Sequence, residues 1–327
     1  MGRLREILDP FLLLLIGMVV LASVLPARGE GAHVVALLAD AGIVLLFFLH
    51  GAKLSRDAIW SGAKAWKLHL ATLATTFALF PILGMVTQHV TAIPPSMKAG
   101  LLFLTLLPST VQSSIAFTAI ARGNVAAAVV SASFSNLLGI GLTPLLVALL
   151  MQKSGTGNLV SFASGEGIVL QLLLPFLVGH LARPLIGGFV ERHRPLLGRV
   201  DRGSILLIVY SAFSAAVVEG LWHRVERREL LALAAVCVAL LGMVLLFTWA
   251  LGRMLGLSRE DGVVLQFCGS KKSLATGVPI AGVLFPASAV GPILLPVMLF
   301  HQIQLMACAL LARRYAARAD QPVPAEA

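Results

Sequence analysis

The chain has 327 residues, of which 58% are hydrophobic and 12% charged, with a mean hydropathy of +0.93 and a net charge of +10. Soluble domains carry about twice that share of charged residues, so composition excludes a cytosolic enzyme and a disordered chain alike. The excess positive charge lies between apolar runs, as in cytoplasmic loops beside an anionic membrane, and so does not point to nucleic acid.

Ten apolar runs follow one another, each roughly long enough to cross about 30 Å of hydrocarbon. They are rich in helix formers and lack period-two alternation, which predicts helices rather than barrel strands. The first, 11–27, follows Arg3 and Arg5 and leads straight into the rest, with only a weak mimic of a cleavage site at Val24-Leu25-Pro26-Ala27. The second, 34–51, contains Asp40. Between it and the third, Trp60 and Trp66 interleave with Lys64 and Lys67, predicting an amphipathic stretch at the inner interface. The third, 67–88, holds Thr76 ahead of Pro81. The fourth, 98–120, is interrupted by Pro108-Ser109-Thr110 and by Gln112-Ser113-Ser114. The fifth, 124–151, carries Ser131, Ser133, Ser135 and Asn136, then Gly139, Gly141, Thr143 and Pro144. After a short linker at 152–165 come runs at 166–184, 203–220, 229–252, 261–284 and 287–312. The ninth of these is interrupted by Gly269-Ser270-Lys271-Lys272-Ser273.

With the N-terminus inside, cytoplasmic segments hold 17 of the 25 basic residues and the opposite side 6; Lys271 and Lys272 make up the rest. That asymmetry predicts both termini in the cytoplasm. Residues 42–51 resemble 203–212 at an offset of 161, and the two polar breaks, Thr110–Ser114 and Cys268–Ser273, are near 158 apart. Similar offsets predict an internal repeat, about 1–155 and about 163–316, within a single membrane domain. Five runs per repeat is an odd number, so the second repeat enters the membrane inverted, an architecture of secondary transporters.

Matched breaks in two repeats point to a transport site: half-helix N-termini attract anions and freed carbonyls bind cations. The bland alternative is a pair of kinks whose freed groups are satisfied by Ser and Thr. Candidate solute or ion ligands are Thr110, Gln112, Ser113 and Ser114 in the first break, and Ser270, Lys271, Lys272 and Ser273 in the second. A charge at mid-membrane costs at least about 2.5 kcal/mol. Two adjacent lysines on a helix point about 100° apart, so one can face the site while the other seeks a carbonyl or a carboxylate. The alternative is that both snorkel to an interface. Asp40 is the candidate counter-ion. Ser131 and Ser135 share a helix face that can turn toward the first break, and Thr76 is a weaker ligand candidate. His50, His69, His180 and His301 read as structural, and Cys237, Cys268 and Cys308 as buried inert thiols. No metal cluster, phosphate loop or catalytic constellation stands out, and no cofactor is expected.

Three segments carry a resemblance to a known family: Ala121-Arg122-Gly123-Asn124-Val125-Ala126, Leu142-Thr143-Pro144-Leu145, and the octapeptide from Phe267 to Leu274 followed by Gly277-Val278-Pro279. Over nearly its whole length the chain resembles the bile acid–sodium symporter family, in particular its divergent SBF-like branch. The resemblance implies an all-α membrane protein of ten helices in two inverted repeats. Helices 1, 2, 6 and 7 would form a panel, and helices 3–5 and 8–10 a core in which broken helices 4 and 9 cross. It also implies residence in a bacterial inner membrane.

Sodium-coupled members of that family carry Glu-x-Gly-x-Gln-Asn-Ser-Gly in helix 9. Here the Glu falls on Phe267, the Gln on Lys271 and the Asn on Lys272. A Ser-Asn pair in helix 4 falls on Ser113 and Ser114, two helix-5 hydroxyls on Ala128 and Ala132, and a helix-3 Gln on Thr76. The oxygen ligands that a hard cation needs are thinned out. The sodium site is degenerate, and fixed positive charge stands in its place. The expectation is an alternating-access transporter of a small organic anion, in which a lysine ammonium substitutes for sodium and transport is sodium-independent or proton-coupled. Two other classes stay open: a non-transporting membrane regulator or scaffold, and a cation–proton exchanger using a carboxylate such as Asp40.

Overall fold

The computed structural model describes residues 10–53, 65–153, 169–224 and 226–319, and among these all the regular secondary structure is helical. Besides the single-turn helix Leu221–Arg224, twelve helices organise the described residues: α1 (Pro10–Val24), α2 (Gly29–Lys53), α3 (Trp66–Thr87), α4 (Pro95–Leu106), α5 (Gln112–Ile120), α6 (Val125–Lys153), α7 (Leu174–Arg192), α8 (Arg194–Val218), α9 (Arg227–Met254), α10 (Arg259–Gly269), α11 (Leu274–Leu284) and α12 (Ala287–Ala319). A π-helical turn, Thr75–Leu79, interrupts α3, and another, Val169–Leu173, leads into α7. Arg3, Arg5, Trp60, Lys64 and most of the predicted linker 152–165 lie outside the described residues.

Among the described residues, seven helices are long and apolar enough to cross a membrane: α2, α3, α6, α7 with its preceding turn, α8, α9 and α12. Four others, α4, α5, α10 and α11, have only 12, 9, 11 and 11 residues. At 1.5 Å per residue each spans about half a bilayer. They are the two halves of the fourth and ninth apolar runs, cut where the sequence has its polar breaks.

Helix ends depart from the apolar boundaries in one respect. The stretch 185–202, expected as a cytoplasmic loop, is helical, with only His193 between α7 and α8. Likewise α12 continues beyond the predicted end at 312. Hydropathy marks where the hydrocarbon ends. Backbone hydrogen bonding continues past that point, here with Arg192, Arg194 and Arg318 on the projecting turns.

The largest apolar cluster includes Phe47 of α2, Phe103 of α4, Phe213 of α8, Leu240 of α9 and Ile293 of α12. Phe103 meets Phe285 edge-on with ring centroids 5.2 Å apart. α2 packs along α7 and α8, and α8 also along α1. α12 packs against α4, α8 and α9. The α2–α7 crossing is backbone against backbone. A Cβ added at Gly51 would lie 2.0 Å from the Phe176 carbonyl oxygen, and one at Gly179 would lie 2.0 Å from that of Phe48. An ion pair between Lys53 and Asp201 ties α2 to α8 near the same end.

Candidate functional site

Each break follows from local sequence. Pro108 has no N–H to continue α4, and it forces Leu107 into an extended conformation (φ −72°, ψ 154°). The chain re-enters helix at Gln112. In the second break α10 ends at Gly269, and Ser273 caps α11 by accepting a hydrogen bond from the Thr276 N–H at 3.1 Å.

The two breaks lie against each other. The Ser273 N–H donates to the Pro108 carbonyl at 2.8 Å. The Ser109 hydroxyl donates to the Cys268 carbonyl at 2.5 Å, and the Ser114 hydroxyl to that of Phe267 at 3.1 Å. Side chains from neighbouring helices satisfy most of what remains. Ser135 accepts from the Ser109 N–H at 2.9 Å, Asn136 donates to the Ser109 carbonyl at 2.7 Å, and Thr143 donates to the Leu106 carbonyl at 2.8 Å. On the other side, Gln304 accepts from the Lys272 N–H and donates to the Lys272 carbonyl, both at 2.9 Å. Its amide nitrogen also lies 2.9 Å from His301 Nδ1. Thr276 donates to Asn136 at 2.9 Å, which links the two clasps.

Three further carbonyls converge on one ammonium. Lys272 Nζ donates to the carbonyls of Leu107 at 2.7 Å and of Thr76 and Thr105 at 2.8 Å. Thr105 and Leu107 belong to the C-terminal turn of α4, where the last carbonyls lack helical donors. Thr76 lies in the π turn of α3. There the Phe80 N–H bonds Thr75, and Pro81 has no N–H to offer, so the Thr76 carbonyl is free. The ammonium also sits 4.2 Å from the centroid of Phe80. An ammonium has three donors, and here each has an acceptor.

Lys271 is equally buried but differently held. Its Nζ has no hydrogen-bond partner and rests 4.2 Å from the ring centroid of Phe117 and 5.4 Å from that of Phe267. A desolvated cation–π contact contributes about 2 kcal/mol. Each hydrogen bond to a charged group contributes about 1.5–3 kcal/mol. Lys272 is therefore much the more firmly anchored. Both side chains are fully buried (0% and 1% exposed), so neither snorkels.

The other predicted residues divide. Thr110, Ser113 and Ser114 form a hydroxyl chain at the start of α5, with Ser113 to Thr110 at 2.9 Å and Thr110 to Ser114 at 3.1 Å. Gln112, on the same turn, is exposed. Ser135 faces the break, whereas Ser131 bonds His69 Nδ1 at 2.7 Å. Ser270 turns back to the Gln266 carbonyl of its own helix at 2.5 Å. Thr76 contributes its carbonyl, because its hydroxyl is spent on Thr72 at 2.8 Å. Asp40 is exposed and bonds neither lysine. Lys272 needs no carboxylate once three carbonyls surround it. Gln304, Phe80 and Phe117 are structural partners that the sequence did not single out. The amides of Gln302 and Gln304 in the apolar run of α12 were the available signal for Gln304, and nothing distinguished the two rings.

Residues 9–317 match the SBF-like CPA transporter family (DUF4137). The chain is 56% identical over 328 residues to a Pseudomonas aeruginosa protein called Uncharacterized protein PA2026, covering 99% of this chain and 98% of that one. It is 51% identical over 321 residues to an Escherichia coli protein named "Putative symporter YfeH", covering 98% and 96% respectively. It is 27% identical over 287 residues to sodium/bile acid cotransporter 7 of Danio rerio, covering 85% and 84%. With nearly its whole length matched, this multi-pass helical chain belongs to the SBF-like CPA transporter family.

Proposed function

We propose that this membrane transporter moves a small organic anion by alternating access and without sodium. The reading counts α1, the seven long helices and the two broken pairs as ten crossings in two inverted repeats. α1, α2, α7 and α8 form a panel, and α3–α6 with α9–α12 form the moving core. Both termini face the cytoplasm of a bacterial inner membrane, on the strength of the 17 to 6 distribution of basic residues.

One observation carries the sodium-independent part: Lys272 Nζ lies within 2.8 Å of three carbonyl oxygens freed by a π turn and a broken helix. Freed backbone carbonyls of this kind are the usual hard ligands for an alkali cation in a discontinuous helix. A tethered ammonium fills them here and cannot dissociate. The anion is favoured by the half-helix N-termini of α5 and α11, with the hydroxyls of Thr110, Ser113 and Ser273 beside them. A carboxylate-based cation exchanger gains no support, because Asp40 is exposed.

The test is a thermal-unfolding screen of purified full-length protein against cholate, taurocholate and small mono- and dicarboxylates, in sodium and in choline buffers. At least one anion is expected to raise the melting temperature equally in both. Stabilisation by sodium chloride over choline chloride, with no anion present, would overturn the substitution. A screen in which no anion acts would favour a regulator over a transporter.

A further inference from the structure

α7 and α8 meet at His193, and close around that elbow stand four arginines, Arg192, Arg194, Arg199 and Arg202. All four are exposed. The two acids of the same stretch are already engaged: Asp201 is held by Lys53, and Glu191 lies 3.5 Å from Arg194. Arg192 spends only its Nε, on the Gly188 carbonyl at 3.2 Å, and Arg202 lies over the Phe11 ring at 5.7 Å. Arg199 has no partner among the described residues. We infer that the elbow is a docking surface for acidic phospholipids, whose phosphates these arginines hold. Assignment to the inner leaflet rests on the orientation proposed above, whereas the lipid site itself does not depend on transport.

Depth in the membrane argues for a lipid rather than a soluble anion. One side of the elbow is buried, where Ile186 and Val190 of α7 and Leu197 and Val200 of α8 close over Leu49 and Ala52 at the end of α2. That packing keeps the elbow at the level where α2 ends. The outward side is apolar too. Leu174, Val178, Leu181, Leu185 and Phe189 follow at three- and four-residue spacing, so they share one face of α7. All five are exposed, Leu185 by 90% and Phe189 by 54%. Arg192 is the next residue on that face. A single helix face therefore changes from apolar to basic within one turn, as it does where acyl chains give way to headgroups. One turn rises 5.4 Å, and the headgroup layer is about 5–7 Å deep, so the elbow fits within it. α8 repeats the arrangement with Leu196, 48% exposed, between Arg194 and Arg199.

The chemistry of the cations agrees. A guanidinium offers two parallel N–H groups to a phosphate, where an ammonium offers a point charge. Every strong cation from 183 to 202 is an arginine. Beside an acidic leaflet each such residue multiplies affinity about fivefold, so four together raise it on the order of several hundredfold. Both helices of the elbow belong to the panel, and Lys53 ties them to α2. Phosphates held here fix the panel in its leaflet while the core moves beside it.

The experiment is thermal unfolding of delipidated full-length protein in a non-ionic detergent, at low and at high salt. The additions are dioleoylphosphatidylglycerol, dioleoylphosphatidylcholine or inorganic phosphate. Wild type is compared with a triple variant (Arg192→Gln, Arg199→Gln and Arg202→Gln) and with the single variant Arg199→Gln, which disturbs no contact within the described residues. A triple variant of the opposite side (Arg28→Gln, Arg227→Gln and Arg228→Gln) controls for overall charge. Phosphatidylglycerol is expected to raise the melting temperature of wild type and control by several degrees, less so at high salt. The elbow triple variant should lose more than half of that shift and Arg199→Gln a smaller part. Phosphatidylcholine and inorganic phosphate should leave all four proteins unmoved. The inference falls if phosphatidylglycerol does not stabilise wild type, or if both elbow variants keep the full shift. It falls equally if phosphatidylcholine matches phosphatidylglycerol, or if inorganic phosphate does, which would make the partner a soluble anion. Failure of the anion screen leaves this lipid dependence intact, so the two readings fail separately.

Discussion

Lys272→Met is expected to destabilise the protein by on the order of 5 kcal/mol. Methionine matches the stem of the side chain but offers no donor, so it strands the carbonyls of Thr76, Thr105 and Leu107 in a site closed to water. An orphaned buried acceptor costs about 1–3 kcal/mol, and three are orphaned at once. The effect should appear as a large drop in melting temperature and in the yield of monodisperse protein at every pH. Lys272→Arg should recover only part of it. A planar guanidinium directs its N–H groups into a fork, which cannot reproduce three donors fanned from one nitrogen. Added sodium is the informative control. If the carbonyl cluster is a cation site in which lysine has replaced an ion, sodium should restore stability to Lys272→Met while leaving wild type unchanged.

Gly51→Ala and Gly179→Ala are the second pair of large effects. Each places a methyl 2.0 Å from a backbone oxygen of the facing helix, well inside contact distance, and neither oxygen belongs to a side chain that can rotate away. The helices must separate, and overpacking of this kind costs about 1–3 kcal/mol or more. The double variant should lose less than the sum of the two singles, because one separation accommodates both methyls. Gly17→Ala is the matched control. Nothing lies within 4 Å of a Cβ built there, so the higher helix propensity of alanine should leave stability unchanged or slightly raised. Melting curves of the four proteins decide the matter.

Much of the architecture was legible because hydropathy and helix breakers are local properties. Pro108 and Gly269 cut their apolar runs where the structure cuts them, and Ser109, Ser114, Ser135 and Ser273 all bond at the crossing. What was not legible is supplied by the backbone. The ligands of Lys272 are three carbonyls, and every residue has one. Their availability depends on a π turn just ahead of Pro81, whose bearing on the site emerges only once α3 is known to pass the end of α4. Thr76 shows the distinction: its hydroxyl suggested a ligand, yet its carbonyl performs that role. Asp40 misled for the complementary reason. A carboxylate in an apolar run invites pairing with a buried lysine, but both lysines are accommodated by groups that carry no formal charge. The helical stretch through 185–202 was missed because Arg192, Arg194, Arg199 and Arg202 read as a loop, although they equally suit helices that protrude from a bilayer.

The bonds between the breaks also set how the molecule answers an electric field. Lys272 is tied to α3 and α4, the breaks are tied to each other, and Gln304 ties the second break to α12, so these elements shift together or not at all. Any rearrangement that carries them across part of the bilayer also carries a full unit of charge. At about 2.3 kcal/mol per charge for each 100 mV traversed, even a fractional displacement in the alternating-access cycle proposed above would make turnover of the empty carrier sensitive to voltage. An energised cell would then hold the resting protein toward its negative, cytoplasmic face, and discharge of the membrane would release it.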